Sequence, residues 1–159
     1  MKLEAAQQSH LPELMSWFPD RHSCAIWGGP EFRFPFTDDT FRQDLRLHLP
    51  SYSVVGDSGE LLGFGQYYDR VGRCHLARLA ISPSHRGQAL GEFLIRELCR
   101  IGCRELNVRD CSLFVMASNA SALKLYRRLG FTEAQYPGDK PSLTGILYMI
   151  APFETLVIE

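Results

Sequence analysis

The sequence predicts an α/β chain of the α+β kind, a mixed and mostly antiparallel sheet of about seven strands flanked by about four helices. Three observations carry this. Strand-like runs at 52–55, 61–68 and 73–81 are separated only by the short turns Gly56-Asp57-Ser58-Gly59 and Asp69 to Gly72, so they pair as an antiparallel meander. Beyond His75, Leu79 and Ile81 alternate as in a strand and Pro83 ends the run; Leu90, Leu94, Leu98 and Ile101 then recur at helical spacing. A further strand-like run, Ser112 to Ala117, follows that helix, and a strand–helix–strand link joins parallel neighbours through a right-handed crossover.

The remaining elements follow in order. Met1 to Ala6 reads as a strand, and Ser9 to Trp17 as a helix with Ser9 at its N-cap. Pro19 to Phe36 reads as irregular, because its glycines and prolines oppose regular structure. Within and beside it, Trp17, Trp27, Phe32 and Phe34 either wall an amine site or staple the loop to the sheet. Thr37 to Leu49 is a helix capped by Thr37 or Asp38, with Phe41, Leu45 and Leu49 on its apolar face and Pro50 as its stop. The central helix from Leu90 is expected to stop at Gly102. Asn119 opens the next helix, which ends at Leu129 with Gly130 as a left-handed cap and Phe131 in the accompanying apolar contact. Thr132 to Tyr136 and Leu143 to Ala151 close the sheet as a pair.

With 159 residues, 45% of them hydrophobic, the chain has material for one core, placed at residues 1–152 with 153–159 as a tail of uncertain order. Seventeen basic against 18 acidic residues leave a formal charge of −1, which argues against nucleic acid as a partner. The start Met1-Lys2-Leu3-Glu4 lacks the apolar stretch of a signal peptide, and no later run is long enough to span a bilayer; a cytoplasmic protein without a membrane partner is expected. Cysteines at 24, 74, 99, 103 and 111 form no CxxC pair, so Cys99 and Cys103 read as core-facing and no metal is expected.

The chemically distinctive stretch is the turn Arg86-Gly87-Gln88-Ala89-Leu90-Gly91. A helix N-terminus presents unpartnered N–H groups and the positive end of the peptide dipole, glycines let a bulky anion approach, and Arg86 adds a cation. The alternative is a tight strand-to-helix turn and nothing more. No Gly-Lys-Ser/Thr closes the turn, and the three-glycine dinucleotide fingerprint is incomplete.

The segment Leu79 to Gly91, LAISPSHRGQALG, resembles the acyl-CoA-binding motif of the GNAT superfamily of N-acetyltransferases, whose turn reads Gln/Arg-x-x-Gly-x-Gly/Ala. Arg86 and Gly91 match its first and last positions, and Ala89 stands where that family usually has glycine. A second segment, ASNASALKLYRRLGF from Ala117 to Phe131, is similar to the family's Asn-x-x-Ala-x-x-Leu-Tyr-x-x-x-Gly-Phe signature.

The resemblance implies a fold in which the strands at Arg78–Ile81 and Ser112–Ala117 splay apart, and acetyl-CoA as cosubstrate without a metal. Leu79, Ala80 and Ile81 would meet pantetheine through their main chain. Amides of Arg86, Gly87, Gln88, Ala89, Leu90 and Gly91 would take the pyrophosphate, Asn119 would hydrogen-bond the cofactor, and Tyr126 would be the acid toward the thiolate. The implied activity is direct attack of a primary amine, on a small molecule or a peptide or protein N-terminus, in a ternary complex. Homodimer formation is left open. Neither position at which relatives carry a glutamate base holds a carboxylate here; one of them is His75, which reads either as a base with an unperturbed pKa of about 6.5 or as an outward-facing strand residue. Without a firm base, an α-amine with a pKa of about 8 suits the site better than a lysine at about 10.4. The rival reading is a sensor or interaction module that keeps the fold and binds acyl-CoA without transfer.

Overall fold

The computed structural model describes residues 1–139 and 145–157. Its elements are β1 (Lys2–Ala5), α1 (Leu11–Ser16), α2 (Arg21–Gly28), α3 (Asp38–Leu45), β2 (Ser51–Val55), β3 (Leu61–Arg70), β4 (Arg73–Ile81), α4 (Leu90–Leu106), β5 (Asp110–Met116), α5 (Ala120–Leu129), β6 (Thr132–Ala134), β7 (Ile146–Pro152) and α6 (Phe153–Leu156). The strands run in the order β1-β2-β3-β4-β5-β7-β6. Pairs β2–β3 and β6–β7 are antiparallel and β4–β5 is parallel, as the sequence predicts, and β1–β2 and β5–β7 are antiparallel as well. The chain divides into two compact units, Met1–Gln66 with Arg78–Leu94, and Tyr67–Ala77 with the described residues from Ile95 onward.

In the first unit, Leu11, Leu14, Phe41, Leu45 and Phe64 are wholly buried, each contributing about 1.5–3 kcal/mol relative to exposure. Ser9 is not the cap of the first helix. It sits inside a 3-10 turn, Gln8–His10, that leads into α1; the Gln7 N–H donates to His10 Nδ1 at 3.1 Å and closes the turn from outside. The stretch expected to be irregular contains α2, because Asp20 caps it by accepting the Ser23 N–H at 2.7 Å. Its glycines act only at the exit, where Gly29 takes a φ of +98°.

The aromatics of this stretch pack in or against the core of the first unit. Trp27 stacks on Phe18 with centroids 4.0 Å apart, Phe34 packs against the same cluster, and Trp17 and Phe32 are buried within it. Thr37 caps α3 by accepting the Thr40 N–H at 3.1 Å. That helix ends at Arg46, which is left-handed at φ +55°, so Pro50 is not its stop.

In the second unit, α4 does not stop at Gly102; it runs to Leu106, and Asn107 follows at φ +55°. Gly102 serves packing instead, since a Cβ there would overlap Cys74 Sγ and lie 3.0 Å from the Tyr67 ring. The buried face of this part of α4 is Ile95, Leu98, Cys99, Gly102 and Cys103, with Ile101 half-buried. β5 begins at Asp110, before the expected Ser112, and pairs with β7 in the register Cys111↔Ala151 and Phe114↔Tyr148.

Asn119 caps α5 as predicted, its Oδ1 accepting the Ala122 N–H at 3.3 Å. At the other end the Phe131 N–H donates to Tyr126 O at 2.9 Å and the Gly130 N–H to Arg127 O at 3.1 Å, with Gly130 at φ +107°. Both bonds satisfy carbonyls that the helix leaves open. β6 ends at Ala134, short of the predicted Tyr136. Leu143 and Thr144 of the predicted last strand, and 158–159 of the tail, lie outside the described residues. Tail residues 153–156 form α6, whose Leu156 is buried.

Candidate functional site

The corner between β4 and α4 lies in the first unit. β4 is distorted before it reaches the corner, because Arg78 is left-handed at φ +50° and its carbonyl accepts the Trp27 indole N–H at 2.9 Å. The Arg78 guanidinium donates to Gln66 Oε1 at 2.9 Å, and Gln66 Nε2 donates to Leu45 O at 2.8 Å and Ser51 Oγ at 2.9 Å. The sequence reading missed this network. Its one available signal is a glutamine at a fully buried position of β3, which must find partners.

Leu79, Ala80 and Ile81 are half-buried. Gly63 of β3 lies against Ala80 and Ile81, where a Cβ would sit 3.2 Å from Ala80 O and 3.0 Å from Ile81 Cδ1. Ser82 is anchored by its N–H to Leu62 O at 2.8 Å, and a single 3-10 turn, Pro83–His85, follows. Arg86, Gly87, Gln88 and Ala89 are exposed. Gly87 adopts φ +83° with nothing within 4 Å of a notional Cβ, so the surface there is open to a bulky group.

Ala89 adopts φ +61° and its carbonyl accepts the Phe93 N–H at 3.2 Å, which makes it the residue that starts α4. This explains why glycine is the usual residue at that position of the resembling motif: the backbone is left-handed. Alanine supplies no oxygen to cap the first-turn amides. Leu90 is buried and Gly91 half-buried in that first turn. An exposed guanidinium, an open left-handed glycine and a helix start at an alanine fit a diphosphate.

In the second unit, the parallel pairing of β4 with β5 joins, among the described residues, Cys74 to Cys111 and His75 to Ser112. His75 does not face outward. It is 2% exposed, its Nδ1 lies 2.9 Å from Ser112 Oγ, and the rings of Phe114 and Tyr68 stand 4.8 and 5.3 Å away. Burial, aided by the Arg70 charge, pushes its pKa down to about 3. The imidazole is therefore neutral at physiological pH and a weak base.

Arg70 donates from Nε to the Tyr136 hydroxyl at 2.9 Å and from Nη1 to the Tyr68 hydroxyl at 2.8 Å, with its guanidinium 4.9 Å from the Phe114 ring centre. Tyr136 packs on Tyr148 with centroids 5.0 Å apart. Asp69 accepts the Gly72 N–H at 3.1 Å and closes the turn after β3.

Asn119 spends its Oδ1 on the α5 cap, and its NH₂ takes no part in that bond. Tyr126 lies two turns further along α5 with its ring 5.9 Å from Phe131. Burial pushes its phenol up to about 12, so it keeps its proton at neutral pH. Both residues stand on one helix within the second unit; Leu79–Ile81 and Arg86–Gly91 stand together in the first.

No helix among the described residues is long and apolar enough to cross a membrane. A Bacillus subtilis protein provisionally named [ribosomal protein bS18]-alanine N-acetyltransferase is 36% identical over 62% of this chain and 66% of its own length. The Escherichia coli (strain K12) [ribosomal protein bS18]-alanine N-acetyltransferase is 30% identical over 64% of this chain and 67% of its own length. The glucosamine 6-phosphate N-acetyltransferase of Trypanosoma brucei brucei is 30% identical over 53% of this chain and 54% of its own length. The chain thus spans about half to two thirds of these curated relatives. In fold it is similar to the spermidine N-acetyltransferase of Vibrio cholerae solved with CoA and spermine, with a TM-score of 0.76 at 19% identity over 99% of this chain and 98% of that one. The sequence model of the Acetyltransferase (GNAT) family matches residues 11–131, and the chain belongs to that family.

Proposed function

We propose that residues 1–152 form an acetyl-CoA-dependent N-acetyltransferase acting on a primary amine of low basicity, with a peptide or protein N-terminus as the acceptor class. The observation that carries the cofactor is the corner at Arg86–Gly91. Its amides and guanidinium take the pyrophosphate, and the main chain of Leu79–Ile81 pairs with the pantetheine arm as an added strand would.

The amine nitrogen attacks the thioester carbonyl, the C–S bond breaks, the acetyl group stays on the nitrogen as an amide, and CoA leaves as a thiolate that takes its proton from solvent. A backbone N–H at or beside Ile81 meets the oxyanion. Tyr126 offers its hydroxyl to the leaving sulfur. A phenol near 12 is a weaker acid than an ordinary thiol at about 8.5, so it contributes mainly a hydrogen bond to the developing thiolate.

His75 is too weak a base to deprotonate an ammonium, and the amine proton goes to solvent. An acceptor that is already partly neutral is favoured for that reason. An α-amine with a pKa of about 8 meets the requirement and a lysine at about 10.4 does not. The alanine N-acetyltransferases among the curated relatives support the same class. The cytoplasm suits five buried cysteines that are all free.

The weakness of His75 also favours the second reading, a sensor that binds acetyl-CoA without transfer. Thiol release from acetyl-CoA, measured against alanine-starting peptides, spermidine, glucosamine 6-phosphate and free lysine, separates the two. Release with peptides above the other amines supports the proposal. Saturable acetyl-CoA binding with no release for any amine supports the sensor, and no saturable binding defeats both.

A further inference from the structure

Four of the five cysteines serve none of the chemistry above, and they converge inside the second unit. Cys74 on β4 and Cys111 on β5 are direct partners in the parallel ladder. Cys103 reaches them from α4, with its Sγ 3.5 Å from that of Cys111. All three sulfurs lie within 4.8 Å of one another, and their residues are 0%, 4% and 0% exposed in the order Cys74, Cys103, Cys111. Cys99, one turn earlier on the same face of α4, is fully buried.

The close approach is built into the backbone. Gly102 has no Cβ, so α4 can press against Cys74 Sγ and the Tyr67 ring. Three structural elements thereby deliver sulfur to one dry point, whereas core packing alone would be served by alanine or valine.

A tetrahedral zinc thiolate has Zn–S near ~2.3 Å and hence S···S near ~3.8 Å. Sulfurs all within 4.8 Å of one another, one pair at 3.5 Å, need move by an ångström or less to reach that spacing. An all-sulfur donor set selects soft d10 ions, and a divalent one offsets more thiolate charge in a buried site than a monovalent one.

We propose that Cys74, Cys103 and Cys111 form a structural thiolate site for one zinc(II) ion, with Cys99 as the adjacent fourth sulfur. Each thiol that binds the ion releases one proton to solvent, and no oxidation state changes. The site is closed, so the ion enters as the chain folds and acts on stability rather than on the reaction.

The test uses the full chain, refolded without oxygen in the presence of one equivalent of zinc(II) or cobalt(II), then passed through gel filtration with a weak chelator. The expected result is one retained ion per chain, a higher Tm, and strong thiolate-to-cobalt absorption. These should be lost in Cys103→Ser and Cys111→Ser and kept in Cys24→Ala, which lies in the other unit. If the serine variants do not fold, the intensity of the wild-type cobalt bands still reports how many thiolates bind. Failure to retain a stoichiometric ion, retention unchanged in folded cluster variants, or a chain lighter by two hydrogens from a Cys103–Cys111 disulfide would each overturn the site. None of these outcomes bears on acetyl transfer.

Discussion

Acidification should destabilise this chain through one buried imidazole. His75 has a pKa of about 3 when folded against about 6.5 when unfolded, so between those values only the unfolded chain takes up the proton. The folded pKa is the depressed one; the stabilising contribution is therefore present above about pH 6.5 and is lost as pH falls toward 3. Linkage puts the loss between pH 8 and pH 5 at about 2 kcal/mol from this group alone.

The perturbation is His75→Gln, which cannot titrate but whose side chain can still meet Ser112 Oγ. Urea unfolding of both proteins at pH 8, 6.5 and 5 isolates the imidazole from every other carboxylate and histidine. The wild type should lose about 2 kcal/mol more than the variant across that range. Equal pH slopes, or an imidazole seen by NMR to titrate near 6.5, would refute the reasoning and return His75 to the position of a usable base.

Three further outcomes follow from named contacts. Tyr126→Phe removes one hydrogen bond to the developing thiolate and should lower kcat by about 100-fold with little change in CoA affinity by calorimetry; and because the phenol is pushed up to about 12, the wild-type rate should show no alkaline limb from this residue below pH 10. Ala89→Gly relieves a left-handed alanine at φ +61°, and thermal unfolding should show a gain of about 0.5–1 kcal/mol after the extra freedom of glycine in the unfolded chain is subtracted. Gly102→Ala drives a methyl group into Cys74 Sγ and against the Tyr67 ring, and denaturant titration should show a loss of about 1–3 kcal/mol; an unchanged midpoint would mean that α4 can back away from β4 freely.

Errors in the element assignments have local causes. The α2 helix is hidden because Pro19, Gly29 and Pro30 flank a run just long enough for two turns, and Gly28 enters it only as its last residue. Gly102 reads as a stop only while the helix is considered alone; its reason for being glycine is a cysteine and a tyrosine on other elements. Arg46 ends α3 in a left-handed conformation with no glycine to announce it. Trp27 offers the same warning from the other side, since aromatic rings near a possible pocket and aromatic rings in a core have one sequence signature.

Caps, turns and periodicities act within a few residues, which is why the strand succession, the Asn119-to-Gly130 helix with its two ends, and the turn from Arg86 to Gly91 are legible from residue order alone. Protonation and convergence are different in kind. His75 is neutral because Phe114, Tyr68 and Tyr148 exclude water from it, Arg78 is bent because an indole 51 positions away takes its carbonyl, and the sulfurs of Cys74, Cys103 and Cys111 meet because two strands and a helix happen to close there. Desolvation and long-range approach depend on which distant segments share a neighbourhood, and no local pattern of residues records that.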